Sequence, residues 1–267
     1  LTVTPNPMLD KTRWVSAFTP GQTHRALRLE TLAGGKGINV ARALRLLKEN
    51  VVASGFVGGR TGEAIRETMD HEGLRHDFVT ISSTTREGFT IVDSRTGQRT
   101  AVFEPGHQLT DGEVEALVEK VSALLPYCRA LALCGSMPCA GFDDLYMQLI
   151  KLAHQHKIPV MLDTYGEPLQ RGLAAAPDFL KPNRDEALKT FGIDTREPRG
   201  KRALLEKLAP CGATHIFLTD GERPAAVFVH GEFFMAEPPK IHTVNALGSG
   251  DAVVAAHPNA RGIANWM

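Results

Sequence analysis

The chain predicts an α/β protein: a three-layer α/β/α sandwich around a mostly parallel central sheet, with a small β-sheet standing apart as a lid. Three observations carry this expectation. From Leu109 onward, short apolar strand runs alternate with helical patterns, which places crossover helices on both faces of a parallel sheet. Before that point, paired strand-like runs show no purely apolar face, as expected of a thin sheet exposed on one side. Finally, Asp10, Ser136, Asp163, Asn183 and Thr219 follow strand runs, and ligands collect beyond the carboxyl ends of such strands.

Residues 1–4 are β-prone and close at Pro5-Asn6-Pro7, which can neither continue a strand nor start a helix smoothly; Asp10 follows at the strand's mouth. Residues 12–15 and 24–32 read as strands around a turn at Pro20-Gly21. Gly34-Gly35-Lys36-Gly37 opens a helix in which Ile38, Ala41 and Leu44 recur at helical spacing. Residues 51–57 form a buried strand ended by Gly58-Gly59, and a helix runs over about 61–72. Residues 89–93 and 99–103 make a hairpin across Arg95-Thr96-Gly97. With the strands before Gly34 they form the lid, about 11–33 and 85–106 of a single domain spanning 1–267.

The second half is regular. Thr110 and Glu113 form a capping box for a helix carrying Val114, Leu117, Val118, Val121 and Leu125 inward. Strands at 130–134, 158–162, 178–180, 216–218 and 225–229 are interleaved with helices at 143–156, 184–191 and 202–208. There is no internal repeat and no low-complexity segment.

A length of 267 residues with 43% hydrophobic content suits one packed globule. Thirty basic residues balance thirty acidic ones, which argues against a nucleic-acid partner. Apolar runs such as 130–134 are far too short to span a bilayer, so no membrane association is expected. No signal peptide is visible, although the chain starts without Met and a few residues are expected to precede it. The four cysteines include no Cys-x-x-Cys and no His pair completes a zinc site, so they read as idle thiols in a reducing cytoplasm.

The most informative stretch runs from Thr243 to Ala256 and enters a helix through Gly248-Ser249-Gly250. Small residues there leave amides unpaired at a helix start, where the dipole also favours an anion, so phosphate is the expected visitor. Asp251 in the first turn reads either as an ordinary helix cap or as a base beside an anion site. Gly34 to Gly37 resembles half of a phosphate loop without the P-loop spacing, and no Gly-x-Gly-x-x-Gly follows the first strand, which weakens an NAD-dependent enzyme.

Four motifs occur in order: Thr4-Pro-Asn-Pro-Met-Leu-Asp10, Gly34-Gly-Lys-Gly-Ile-Asn-Val40, Lys181-Pro-Asn-x-x-Glu186 and Asn245-x-x-Gly-Ser-Gly-Asp251. Together they resemble the ribokinase-like carbohydrate kinases, and within them the phosphofructokinase-B branch of 1-phosphofructokinase, tagatose-6-phosphate kinase and the minor 6-phosphofructokinase. The resemblance implies ATP-dependent phosphorylation of a ketose phosphate, foremost fructose 1-phosphate to fructose 1,6-bisphosphate, with magnesium. It implies Asp251 as base and the Gly248, Ser249 and Gly250 amides as an anion hole. Asp10, Gly35 and Asn39 would bind the sugar, and Arg86, Ser136 and Lys36 its phosphate, although this lysine does not discriminate phosphosugar kinases from ribokinase. Asn183 and Glu186 would order magnesium, Glu186 through water, and Thr219 and Gly221 would contact the nucleotide. Subunits of such kinases often pair through the lid, so a homodimer is implied.

Two departures qualify the match. Pro224 stands where the nucleotide-contact loop has its second glycine, and after Ala256 the sequence leaves the family pattern, with Pro258 breaking the helix early. A truncated, frameshifted or incomplete chain is expected from the second departure, and a sugar-phosphate-binding relic with little kinase activity is the competing reading.

Overall fold

The structure, a computed structural model, describes residues 1–238 and 248–256. In chain order its elements are β1 (Thr2–Thr4), β2 (Met8–Val15), β3 (Arg28–Gly34), α1 (Lys36–Leu46), β4 (Ala53–Val57), α2 (Gly59–His71) and β5 (Val79–Thr80). There follow β6 (Glu87–Asp93), β7 (Arg99–Phe103), α3 (Asp111–Leu124), β8 (Leu131–Cys134), α4 (Leu145–Gln155), β9 (Val160–Asp163) and α5 (Glu167–Leu173). The chain continues with β10 (Phe179–Leu180), α6 (Arg184–Phe191), α7 (Pro198–Leu208), β11 (His215–Asp220), β12 (Arg223–Val229), β13 (Glu232–Ala236) and α8 (Ser249–Ala256).

A nine-stranded sheet in the order β13-β12-β11-β10-β9-β8-β1-β4-β5 forms the middle layer, and the seven strands from β11 to β5 in that order pair in parallel. Strands buried on both faces send alternate side chains to opposite layers. In β8, Leu131 and Leu133 join a core with α3, α4 and α7, while Ala132 and Cys134 pack with Val40 of α1 and Val254 of α8. The expected α/β/α sandwich is therefore present, and both helix layers are held by period-two alternation in short strands.

A second sheet, in the order β3-β2-β6-β7, is built from the early strands and the hairpin. Its β2–β6 pairing is parallel and its other pairings antiparallel. Leu29, Phe89 and Val102 stay exposed on it at 65%, 43% and 69%, an apolar face without cover in the single chain. The capping box at Thr110 and Glu113 forms as expected, and Val114, Leu117 and Val121 of α3 are buried.

Several boundaries differ from the sequence reading. Asp10 lies inside β2, which starts at Met8, because after Pro5-Asn6-Pro7 the chain resumes a strand in the other sheet. Residues 24–27 do not extend β3; His24 instead bonds back to Thr19 in a turn. Helix α5 escaped notice because Gly166 and Pro168 read as breakers, yet Pro is tolerated in a first helical turn, where its missing N–H costs nothing. Strand β13, with all five residues exposed, has no buried face to mark it, and two-residue β5 is too short for any period.

Within the central sheet the β1–β4 pairing is tight. At Gly55, paired with Thr4, the backbone has φ of +143°, and an added Cβ would lie 2.0 Å from the Thr4 carbonyl oxygen. Gly55→Ala is expected to destabilise the protein by about 2 kcal/mol or more, because both the positive φ and the β1–β4 contact resist the methyl. Thermal and urea unfolding of the variant check this, and an unchanged midpoint would contradict it.

Candidate active site

The polar residues expected at strand ends converge on the carboxyl edge of the parallel sheet. At their centre is Asp163, the last residue of β9, which is fully buried. Its Oδ1 accepts from Lys36 Nζ at 2.7 Å, and its Oδ2 lies 3.2 Å from Lys181 Nζ, itself 2% exposed. A buried carboxylate is tolerated only when paired this closely. Lys36 also pairs with Glu186, so one ammonium joins the start of α1, the end of β9 and the first turn of α6. The two carboxylates raise the Lys36 pKa against the opposing pull of burial, keeping it charged.

Lys36 is held there by its turn. Gly35 caps α1 with φ of +127°, and a Cβ at that position would lie 2.7 Å from Thr4 Cγ2. Only glycine lets the helix start against β1. One turn on, Asn39 Nδ2 donates to Asp251 Oδ2 at 2.9 Å, tying α1 to the start of α8. Asp251 is 7% exposed, and burial raises its pKa, partly opposed by the Asn39 hydrogen bond. An added Cβ at Gly250 would lie 3.2 Å from Lys181 Nζ, so the glycine leaves room for that ammonium beneath the helix start. Gly248 and Ser249 complete this end of α8, while Asn245 and Thr243 of the same motif lie outside the described residues.

Asn183 and Glu186 form a reciprocal capping box: Asn183 Oδ1 accepts from the Glu186 amide at 2.9 Å, and Glu186 Oε2 from the Asn183 amide at 3.0 Å. With Oε1 on Lys36, both Glu186 oxygens are engaged. Among the described residues no three His, Cys, Asp or Glu side chains cluster to hold a metal ion. The oxygen donors here suit an ion that keeps most of its waters and relies on nucleotide phosphates, as magnesium does. The Thr219 amide donates to the Pro182 carbonyl at 3.1 Å, which joins the end of β11 to the same corner, and Gly221 opens the following turn.

A second group lies where the two sheets meet. Arg86 Nη2 donates to the Asn6 carbonyl at 3.1 Å, and Asn6 Nδ2 donates to Ser136 Oγ at 3.1 Å. Thr85 anchors the arginine, exchanging hydrogen bonds with Gly58 at 2.8 and 2.9 Å. Arg86 Nε is buried with no partner, and burial lowers its pKa. Asp10 is similarly unspent: its Oδ1 is buried without a donor, and burial together with Glu30 raises its pKa. An unpaired guanidinium donor and an unpaired carboxylate oxygen suit a phosphate and a hydroxyl, respectively.

All fourteen residues named from the sequence are described, and they fall into these two groups and the β11 corner. Sequence reasoning gave no role to Asn6 or Lys181, although both lie inside quoted motifs. It noted Asp163 only as a strand-end residue. It passed over His107, which is 5% exposed, packs edge-on to Phe56 and feels the Arg86 charge. A lone histidine after Pro105-Gly106 carries no periodic signal.

The pfkB family carbohydrate kinase pattern matches residues 5–260. The chain belongs to that family. It is an ATP-dependent sugar kinase with the ribokinase-like fold that its motifs imply. Phosphofructokinase-2 from Escherichia coli, solved in complex with substrates and products, is 25% identical, with 98% of this chain and 85% of that one covered and a TM-score of 0.86. A protein of Thermotoga maritima described as a possible 1-phosphofructokinase is 28% identical, covering 95% of this chain and 82% of that one, with a TM-score of 0.86. A tetrameric inhibited form of the Escherichia coli enzyme matches with 25% identity over 97% of this chain and 85% of that one, with a TM-score of 0.86. No helix among the described residues is long and apolar enough to cross a membrane. All four cysteines are free, and burial raises the pKa of the Cys134 thiol, keeping it inert.

His107 generates a pH prediction. Burial and the neighbouring Arg86 push its pKa down to about 4 from the ordinary 6.5. Between those values the unfolded chain takes up a proton that the folded chain refuses, so stability is full above about pH 6.5 and falls as pH drops toward 4. The wild type is expected to lose on the order of 2 kcal/mol more than His107→Gln over that interval. Urea melts at stepped pH check it, and parallel curves for the two proteins would contradict it.

Proposed function

We propose that this kinase phosphorylates a ketose phosphate, with fructose 1-phosphate as the foremost substrate and fructose 1,6-bisphosphate as product. The observation that carries the reading is the cradle of Arg86, Asn6 and Ser136, with the Arg86 Nε buried and unpartnered, beside the equally unspent Asp10. A sugar alone needs hydroxyl partners; a buried guanidinium with a free donor suits a phosphate, whose oxygens its fork matches. In this reading Gly35 and Asn39 add to the sugar site, while Lys36, engaged by Asp163 and Glu186, brings no free charge to it.

In this reading Asp251 takes the proton from the acceptor hydroxyl while the sugar oxygen attacks the γ-phosphorus of ATP in line. The bond to the β–γ bridging oxygen breaks, and ADP leaves. Burial, which raises the Asp251 pKa, makes it a better proton acceptor than an exposed carboxylate. The Gly248, Ser249 and Gly250 amides face developing charge at the positive end of α8. Thr219 and Gly221 contact the nucleotide, and Asn183 and Glu186 would order the waters of a magnesium ion, which would neutralise phosphate charge. The four-stranded sheet serves as a lid that excludes water from the transfer. Its exposed Leu29, Phe89 and Val102 form the face by which two copies pair.

The test is ADP release from magnesium-ATP with fructose 1-phosphate, fructose 6-phosphate and tagatose 6-phosphate in separate reactions. Fructose 1-phosphate is expected to be turned over fastest; preference for either other sugar would reassign the substrate, and no turnover would leave a sugar-phosphate binder. Asp251→Asn is expected to lower kcat at least about a hundredfold while sugar-phosphate affinity stays nearly unchanged, because it removes the base and little else. Full activity in that variant would overturn the mechanism. Arg86→Ala is expected to raise KM for the sugar phosphate about tenfold or more, and KM for ATP far less. Equal effects on both would remove Arg86 from the substrate site.

A further inference from the structure

Pro224 follows the turn between β11 and β12, and a buried lysine from a neighbouring helix grips both sides of that turn. Lys201, in the first turn of α7, is 4% exposed. Its Nζ donates to the Pro224 carbonyl at 2.5 Å and lies 3.4 Å from Asp220 Oδ2. Asp220 is 9% exposed, and its other oxygen lies 3.3 Å from Arg184 Nη1. Arg184 directly follows Asn183, the cap of α6, whose preceding residue Pro182 accepts the Thr219 amide. The ladder also shifts register between Leu218 and Asp220, so the turn is not a simple hairpin that two strands would impose.

Burying a lysine this deeply costs desolvation that close partners must offset, and a methionine of similar length would fill the same space with less of it. The two partners of Lys201 flank the turn, Asp220 at the end of β11 and Pro224 near the start of β12. Glycine would have let that turn choose its backbone angles; proline fixes one of them and donates no N–H, but leaves its carbonyl free to be gripped.

We propose that Lys201 is a positioning residue for the nucleotide: its ammonium, clamped between the Asp220 carboxylate and the Pro224 carbonyl, holds the turn so that Thr219 and Gly221 meet ATP. This rests on the reading that Thr219 and Gly221 contact the nucleotide. Lys201 itself touches no substrate. Arg184, on the other Asp220 oxygen, carries the clamp to the α6 corner where Asn183 and Glu186 lie.

The test compares the full-length wild type, Lys201→Met and the double variant Lys201→Met with Asp220→Asn. The readouts are Kd for a fluorescent ATP analogue, KM for ATP and for the accepted sugar phosphate, and Tm. Lys201→Met is expected to weaken analogue binding and raise KM for ATP about tenfold, with KM for the sugar phosphate within about twofold. The double variant removes the carboxylate left without its cation, so it is expected to regain most of the lost Tm while nucleotide binding stays weak. Recovery of nucleotide affinity together with Tm would overturn the proposal, since the lysine would then only stabilise the fold. Unchanged Kd in either variant would overturn it too. If Lys201→Met alone fails to fold, the double variant carries the comparison. Wild-type binding of the analogue without turnover would refute the kinase reading and leave the clamp testable by Kd.

Discussion

The site depends on one buried carboxylate. Asp163 has no exposed surface and is held by two ammonium groups that arrive from different parts of the chain. Lys36 comes from the glycine turn before α1, and Lys181 from the end of β10. Removing either would leave a charge short of its partner in the interior, a loss worth several kcal/mol. Because Lys36 also reaches Glu186, and Lys181 lies beneath Gly250, this pairing sets how the starts of α1, α6 and α8 stand relative to one another. Those three helix starts carry the groups proposed to act on the sugar, the magnesium and the transferring phosphoryl.

Around that centre the two sheets divide the work. The central strands of the parallel sheet are buried on both faces, and its carboxyl edge supplies the charged network. The four-stranded sheet has one apolar face in the open and contributes Asp10 through β2, and Arg86 just before β6. Asp10 and Arg86, each with a buried polar atom left without a hydrogen bond, lie where the sheets meet. Those in the parallel-sheet network are already paired. A ligand binding between the sheets would therefore meet unsatisfied partners on the smaller sheet, which is what the proposed lid role draws on.

Much of this was legible in the sequence. Alternating apolar runs and helical stripes follow from burial on a pleated strand or a 3.6-residue turn, so β8, β9, α3 and α4 could be read locally. The Thr110–Glu113 box and the Asn183–Glu186 spacing are local hydrogen-bonding patterns, and both form. What failed was also local in origin. Helix α5 begins with residues that usually end helices, β13 has no buried side to generate a period, and the start of β2 depended on pairing with β3, a partner distant in sequence.

By itself the sequence determined the α/β class, the order of the motifs and the candidate residues, because each arises from chain-local spacing or from glycines that only a tight turn tolerates. Tertiary structure decided which of those residues meet. Asp163 becomes the hub only because β9 ends between β8 and β10, and Asn6 reaches Ser136 across 130 positions of sequence. Lys201 serves the β11–β12 turn only because α7 packs its first turn against it. Charge pairing in a low-dielectric interior acts through distance in space, and no spacing along the chain records that distance.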